Sequence, residues 1–157
     1  PGFMVGERVE HELMLHWGMR MMHALQNAST PTLTVCIRKA FGLAWQAMNG
    51  SQMPALGVYS WPGAEIGFMD PEVGVNVAFG SKLGRIENPE TREAEREALV
   101  REVGESTNPY EAAGTMRIDE IIDPGDTRSI LARDLEMLAN RSVPPPEARP
   151  LSYWPTC

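Results

Sequence analysis

"IRKAFGLAWQAM", residues 37–48, sets two cations behind a β-branched residue, follows them with a small residue, an aromatic and Gly42, and then turns to helix-forming composition. The run leading into it, "TLTVCIR" at 32–38, is rich in β-branched residues and apolar on both faces, as expected of a buried strand covered on two sides. "GLAWQAMN" reads as a short helix leaving that strand, so the segment is strand, glycine turn, helix. No Ser, Cys or His stands inside the turn to act as a nucleophile or base. What it offers is main chain. The first N–H groups of a helix lack intrahelical acceptors and carry the positive end of the dipole. Two of them side by side make an oxyanion hole, and the donors here would be the amides of Leu43 and Ala44, with Gly42 permitting the turn. Spacing alone does not separate this reading from a plain structural turn, which is the commoner use of the pattern.

Outward from this segment the pattern stays α/β. "ALGVYSWPGAEIGFM", 55–69, holds two short strands broken at Pro62-Gly63. Asp70 and Pro71 form an N-cap and first-turn pair, predicting a helix over 71–80 with Val73, Val77 and Phe79 turned inward. Strand followed by helix therefore occurs twice. Residues 89–103, "PETREAEREALVREV", predict a solvated helix between Pro89 and Gly104. "NPYEAAGTM" predicts a turn and short helix, "RIDEIID" a strand, and "DPGDTRSILARDLEMLANR" a last helix with Ile130, Leu131, Leu135 and Leu138 as its inner face. Toward the N-terminus, Val9, Leu13, Trp17, Met21 and Leu25 recur every four residues, predicting one amphipathic helix over about 7–28, stopped by Thr30 and Pro31. Residues 142–157, "SVPPPEARPLSYWPTC", predict an extended proline-rich arm.

Composition narrows the function classes. With 157 residues and 43% hydrophobic content the chain can bury a real core, and 21 acids against 14 bases give a net charge of −7, which argues against a nucleic-acid partner. No apolar run approaches the roughly 18–20 residues of a membrane span, so no membrane partner is expected. Cys36 lies in a strand pattern and Cys157 is the last residue, which suggests neither a disulfide framework nor zinc and fits a reducing compartment. His11, His16 and His23 are spaced by five and seven rather than by the four that stacks metal ligands on one helix face, so no metal site is expected. The Met14, Met19, Met21 and Met22 cluster reads as adaptable packing, with a hint of a buried interface. Ser51, Ser60, Ser81 and Ser106 lack nucleophile-elbow context, and no phosphate-cradling loop occurs. The opening "PGFMVGE" is turn chemistry without an initiator methionine, from which a missing upstream part is expected.

"PGFMVG" at 1–6, "RKAFGLAWQAM" at 38–48, "WPGAEIGFMDPEVGVNVAF" at 61–79 and "NPYEAAGTMRIDEIIDPGDTRSILARDLEML" at 108–138 occur in order and at familiar distances. Together they resemble the C-terminal half of the carboxyltransferase (β) subunit of biotin-dependent acyl-CoA carboxylases, the propionyl-CoA carboxylase β family. The resemblance implies an α/β crotonase/ClpP-like superfold of repeated strand-strand-helix units, here an incomplete C-terminal half over residues 1–141 followed by the arm at 142–157. It implies transfer of the carboxyl group from carboxybiotin, on a carrier protein, to the α carbon of an acyl-CoA. Backbone amides of Leu43 and Ala44, with Gly42, would stabilise the biotin ureido oxyanion, and Phe41, Trp45 and Gln46 would bind substrate. Implied partners are the N-terminal carboxyltransferase half, biotin carboxylase and biotin carrier protein, in a dimer-built hexamer. The implied location is the cytoplasm, or the mitochondrial matrix in a eukaryote. Where the family has Gly-Gly-Ala-Tyr-Asp, this chain reads Gly42-Leu43-Ala44-Trp45-Gln46. Leu43 keeps its N–H but gives up glycine-only angles and adds bulk. Asp70 likewise departs from the family's Met-Gly-x-x-Gly-Ala pattern. Leu43 and Gln46 motivate one alternative, a biotin-independent acyl-CoA decarboxylase or hydrolase on the same scaffold, and the Met-rich first helix a second, a non-catalytic assembly half.

Overall fold

The computed structural model describes residues 1–4, 6–28, 30–51, 53 and 55–139. The expected arm at 142–157 lies outside them. In chain order the elements are α1 (Glu7–His11), α2 (Met14–Asn27), β1 (Leu33–Cys36), β2 (Lys39–Phe41), α3 (Gly42–Ala47), β3 (Gly57–Ser60), β4 (Glu65–Gly67), α4 (Pro71–Leu83), α5 (Pro89–Glu105), α6 (Pro109–Gly114), β5 (Glu120–Ile121), a 3₁₀ turn (Pro124–Asp126) and α7 (Thr127–Ala139).

Two strand-strand-helix units, β1-β2-α3 and β3-β4-α4, build two small parallel sheets. The first strand of each unit enters one sheet, ordered β1-β3-β5, and the second strand enters the other, β2-β4. Parallel neighbours need a crossover, and α3 supplies it. Register is set by Leu33 opposite Gly57 in the first sheet and Lys39 opposite Glu65 in the second. Between the sheets Trp61 N–H donates to Cys36 O at 3.0 Å and Glu65 N–H to Arg38 O at 2.6 Å, carrying the alignment across the bends. The core gathers Cys36, Ala40, Trp45, Val58, Ala64, Ile66, Ala112 and Ile118 from both sheets and the helices behind them.

The helix caps follow the sequence closely. Asp70 accepts from Glu72 N–H and Asn88 from the amides of Glu90 and Thr91, each ahead of a proline at the first helical position. As expected, α5 has no buried residue.

Three expectations are corrected. The single helix over 7–28 is two helices, interrupted at Leu13, whose φ of 64° lies in the left-handed region. Of its apolar stripe only Val9 is buried, whereas Leu13, Trp17 and Met21 face outward. In α4, Val75 and Leu83 are buried while Val73 and Val77 are exposed, with Phe79 half-buried. Val73 and Val77 share one face of a helix and Val75 sits nearly opposite, so apolar composition could not say which face turns in. In α7, Leu135 is exposed and Asp134 is buried in its place, drawn in by the Tyr59 hydroxyl, which donates to its Oδ2.

Candidate functional site

The second sheet positions the site. Its strands are parallel and equal in length, with Phe41 opposite Gly67, so the residues that follow, Gly42 and Phe68, meet at the same sheet edge. The helices α3 and α4 begin side by side there, as parallel-sheet topology dictates. Gly42 has φ +56°, and a Cβ on it would stand 2.8 Å from the Phe68 carbonyl oxygen. Both the angle and the close approach require glycine. Leu43 does not share that requirement, because the described non-glycine residues with positive φ are Leu13, Asn49 and Met116. A leucine at 43 therefore leaves the turn intact. Helix α3 starts with no side-chain cap, and among the described residues neither the Leu43 nor the Ala44 N–H meets an acceptor.

Leu43 and Ala44 are among the residues that line a cavity of about 670 Å³. Phe41, Gly42, Leu43 and Ala44 form one wall; Phe68, Met69, Asp70 and Val73 form the second; Phe3, Met4 and the α1–α2 junction from Leu13 to His16 close the third. The opening residues reach this place because Phe41 N–H donates to Pro1 O at 3.0 Å. The lining is chiefly apolar, with Glu10, His16 and Asp70 as its ionisable members.

Asp70 is held from two sides: Oδ2 accepts from Lys39 Nζ at 3.0 Å and Oδ1 from Glu72 N–H at 3.1 Å. Lys39 also lies 3.6 Å from Glu65 Oε2. Partial burial alone would raise the Asp70 carboxyl, but the Lys39 and Glu72 hydrogen bonds outweigh it and hold the group below the usual carboxylate range. Reciprocally, the hydrogen bond to Asp70 raises the Lys39 ammonium.

Of the residues singled out in the sequence, Phe41, Gly42, Leu43 and Ala44 come together at the cavity. Trp45 and Gln46 are not in its lining. Trp45 is a core residue: its indole N–H donates to Ser51 Oγ at 2.8 Å, and the Ser51 hydroxyl donates to Arg117 O at 2.6 Å. This packing ties α3 to the bend that leads into β5. Sequence reasoning missed the α1–α2 contribution, because a broken helix that lines a cavity carries the same periodicity as one that packs on a core. Histidine spacing addresses metal ligation alone and gives no sign that His16 lines this cavity. Among the described residues no group of three or more His, Cys, Asp or Glu side chains could hold a metal, and no helix is long and apolar enough to cross a membrane.

The profile of the carboxyl transferase domain matches residues 1–150. The chain belongs to that family. It is 36% identical to the propionyl-CoA carboxylase carboxyltransferase subunit of Haloferax mediterranei over 95% of this chain and 28% of that protein. To the methylmalonyl-CoA carboxyltransferase 12S subunit of Propionibacterium freudenreichii subsp. shermanii it is 37% identical, over 90% of this chain and 26% of the relative. A transcarboxylase 12S crystal structure, a hexamer assembly with methylmalonyl-coenzyme A bound, superposes with a TM-score of 0.77 at 35% identity, covering 95% of this chain and 28% of that one. The β subunit of geranyl-CoA carboxylase from P. aeruginosa shares the fold, with a TM-score of 0.79 at 22% identity. This carboxyl transferase domain chain therefore spans little more than a quarter of the length of these relatives.

Proposed function

We propose that this chain forms one wall of a biotin-dependent acyl-CoA carboxyltransferase, as an incomplete second crotonase-like half. The observation that carries the reading is the uncapped start of α3, whose residues Leu43 and Ala44 line an apolar cavity in a member of the carboxyl transferase domain family. Biotin fits this lining by its chemistry: a neutral bicyclic urea offers one polar oxygen for the two donors and an aliphatic body for the apolar walls. When bound, carboxybiotin supplies the activated carboxyl group and an oxygen on which negative charge collects.

The residues of this chain then have separate tasks. The Leu43 and Ala44 amides donate to that oxygen, most strongly when it is charged, so they favour the transition state over the ground state. Gly42 holds the turn that aims them. Phe41, Phe68 and Leu13 line the cavity with apolar surface, so a bicyclic urea seated against them displaces water from the donors, which raises the worth of each hydrogen bond. Neither Trp45 nor Gln46 is assigned a contact with the substrate. The acyl-CoA site belongs to the N-terminal half, and biotin carboxylase and a biotin carrier protein complete the system in an oligomer of the hexameric kind.

The test is carboxyl transfer from a carboxybiotinylated carrier to propionyl-CoA by the complete subunit that contains this chain. The expected outcome is transfer that Gly42→Ala lowers by about 10²-fold or more, as loss of a preorganised donor does. Release of carbon dioxide from a malonyl-type thioester without biotin would transfer the reading to a decarboxylase. Activity indifferent to Gly42→Ala would leave this half an assembly surface.

A further inference from the structure

Asp70 sets an acidic residue in the wall of a cavity that is proposed to hold a developing anion. An unpaired negative charge there would oppose the reaction. Its partner is Lys39, at the start of the strand that ends at Phe41, just before Gly42. We propose that Lys39 is a positioning residue of the carboxyl-transfer site: acting through Asp70, it pins that carboxylate to the start of α4 and cancels a charge that would otherwise face the oxygen held by Leu43 and Ala44. The inference rests on the function proposed above and adds to it a charge-compensation device.

Four observations support it. Asp70 lines the same cavity as Leu43 and Ala44. Both of its oxygens are engaged, one by Lys39 Nζ and one by Glu72 N–H, which leaves it poorly placed to act as a free base. Lys39 also approaches Glu65 Oε2 and lies 5.9 Å from the centre of the Phe41 ring, so its position is set by three neighbours rather than one. Finally, among the described residues no Lys or Arg lines the cavity, whose lining includes Glu10 as a second acid, so compensation of Asp70 comes from Lys39, outside the lining.

The experiment uses the complete subunit with its biotinylated carrier and compares Lys39→Met, Lys39→Arg, Lys39→Met/Asp70→Asn and Lys39→Met/Glu65→Gln. Lys39 is 45% exposed at its side chain, so its removal leaves the core untouched, and circular dichroism verifies the fold. Lys39→Met should lower kcat roughly fivefold to tenfold, the effect of one uncompensated charge at intermediate dielectric, with KM for the acyl-CoA unchanged. Lys39→Arg should restore the rate. Adding Asp70→Asn should restore it as well, since asparagine still caps α4 while removing the charge. Adding Glu65→Gln should not, because Glu65 is outside the cavity lining. If kcat is indifferent to Lys39→Met while the unaltered enzyme transfers carboxyl groups, this inference falls and the proposed function stands. The inference falls in the same way if the loss persists with Asp70→Asn, since Lys39 would then act through the fold alone. An unaltered enzyme that leaves carboxybiotin untouched overturns both.

Discussion

At the scale of single residues, Gly42 and Leu43 show that adjacent positions of one turn obey different constraints. The φ of +56° at Gly42 and the Phe68 oxygen 2.8 Å from its would-be Cβ mean that Gly42→Ala incurs both a left-handed angle and a backbone clash. A loss of about 1–2 kcal/mol from the angle alone is expected in urea unfolding, with a larger loss if the Phe68 turn cannot move. Leu43→Gly has the opposite character. Leu43 already sits at an ordinary helical angle, so glycine gains nothing in the turn and loosens α3 by about 0.5–1 kcal/mol. Carboxyl transfer by that variant should stay within a few-fold of the unaltered enzyme, because the amide persists. A drop comparable to that of Gly42→Ala would show that the leucine side chain, not the main chain, does the binding. The sequence made this site visible in outline: Gly42 after a β-branched run is a turn signal with a mechanism. It could not show that Trp45 is taken up by Ser51, since that partner stands six residues on and is reached only when the chain folds back.

Among elements, α7 is held by chemistry that its apolar spacing does not show. Tyr59, in the middle strand of the first sheet, donates its hydroxyl to the buried Asp134, and Arg133 donates to the other carboxylate oxygen at 2.9 Å. Burial and the neighbouring carboxylate push the Tyr59 phenol up to about 12. The Tyr59 hydrogen bond, helped by Arg133, holds Asp134 below its ordinary range against the effect of burial. Because the folded phenol keeps its proton longer than the unfolded one, its contribution is full below about pH 10 and is lost as pH rises toward 12. For Asp134 the sense reverses: the contribution is present above the ordinary carboxyl pKa and disappears as pH falls through the depressed value. Tyr59→Phe should cost about 1.5–3 kcal/mol at pH 7, the range for a hydrogen bond to a charged group, and the difference from the unaltered protein should narrow at pH 11 in denaturant titrations. A constant difference across that range would mean that lost packing rather than the hydrogen bond sets the cost. The same element shows the limit of periodicity. Leu135 fits the predicted inner face of α7 yet is exposed, because a strong polar partner next to it determines how the helix is turned.

For the whole molecule, the question is what the outward apolar surface means. Leu13, Leu15, Trp17 and Met21 on the N-terminal helices are exposed, as are Val73 and Val77 on α4, and Phe68 is 85% exposed. Scattered apolar residues on a surface need no explanation, but here Leu13, Leu15, Phe68 and Val73 line one cavity, and they lie in a chain little longer than a quarter of its relatives. On α1 and α2 periodicity marked an apolar stripe and misassigned what covers it, since spacing encodes a face and not its partner. If the N-terminal face is an interface, the chain expressed alone should self-associate, and Trp17→Glu with Met21→Glu should shift sedimentation toward the monomer without lowering the unfolding midpoint. In the complete subunit the same pair should weaken assembly, because two carboxylates would then be buried without partners. Monomeric behaviour of the unaltered chain at micromolar concentration, together with full assembly of the doubly substituted subunit, would show that this face meets only water. The large exposure of Phe68 at the mouth of the site would then have to be explained by the cavity and its ligand alone.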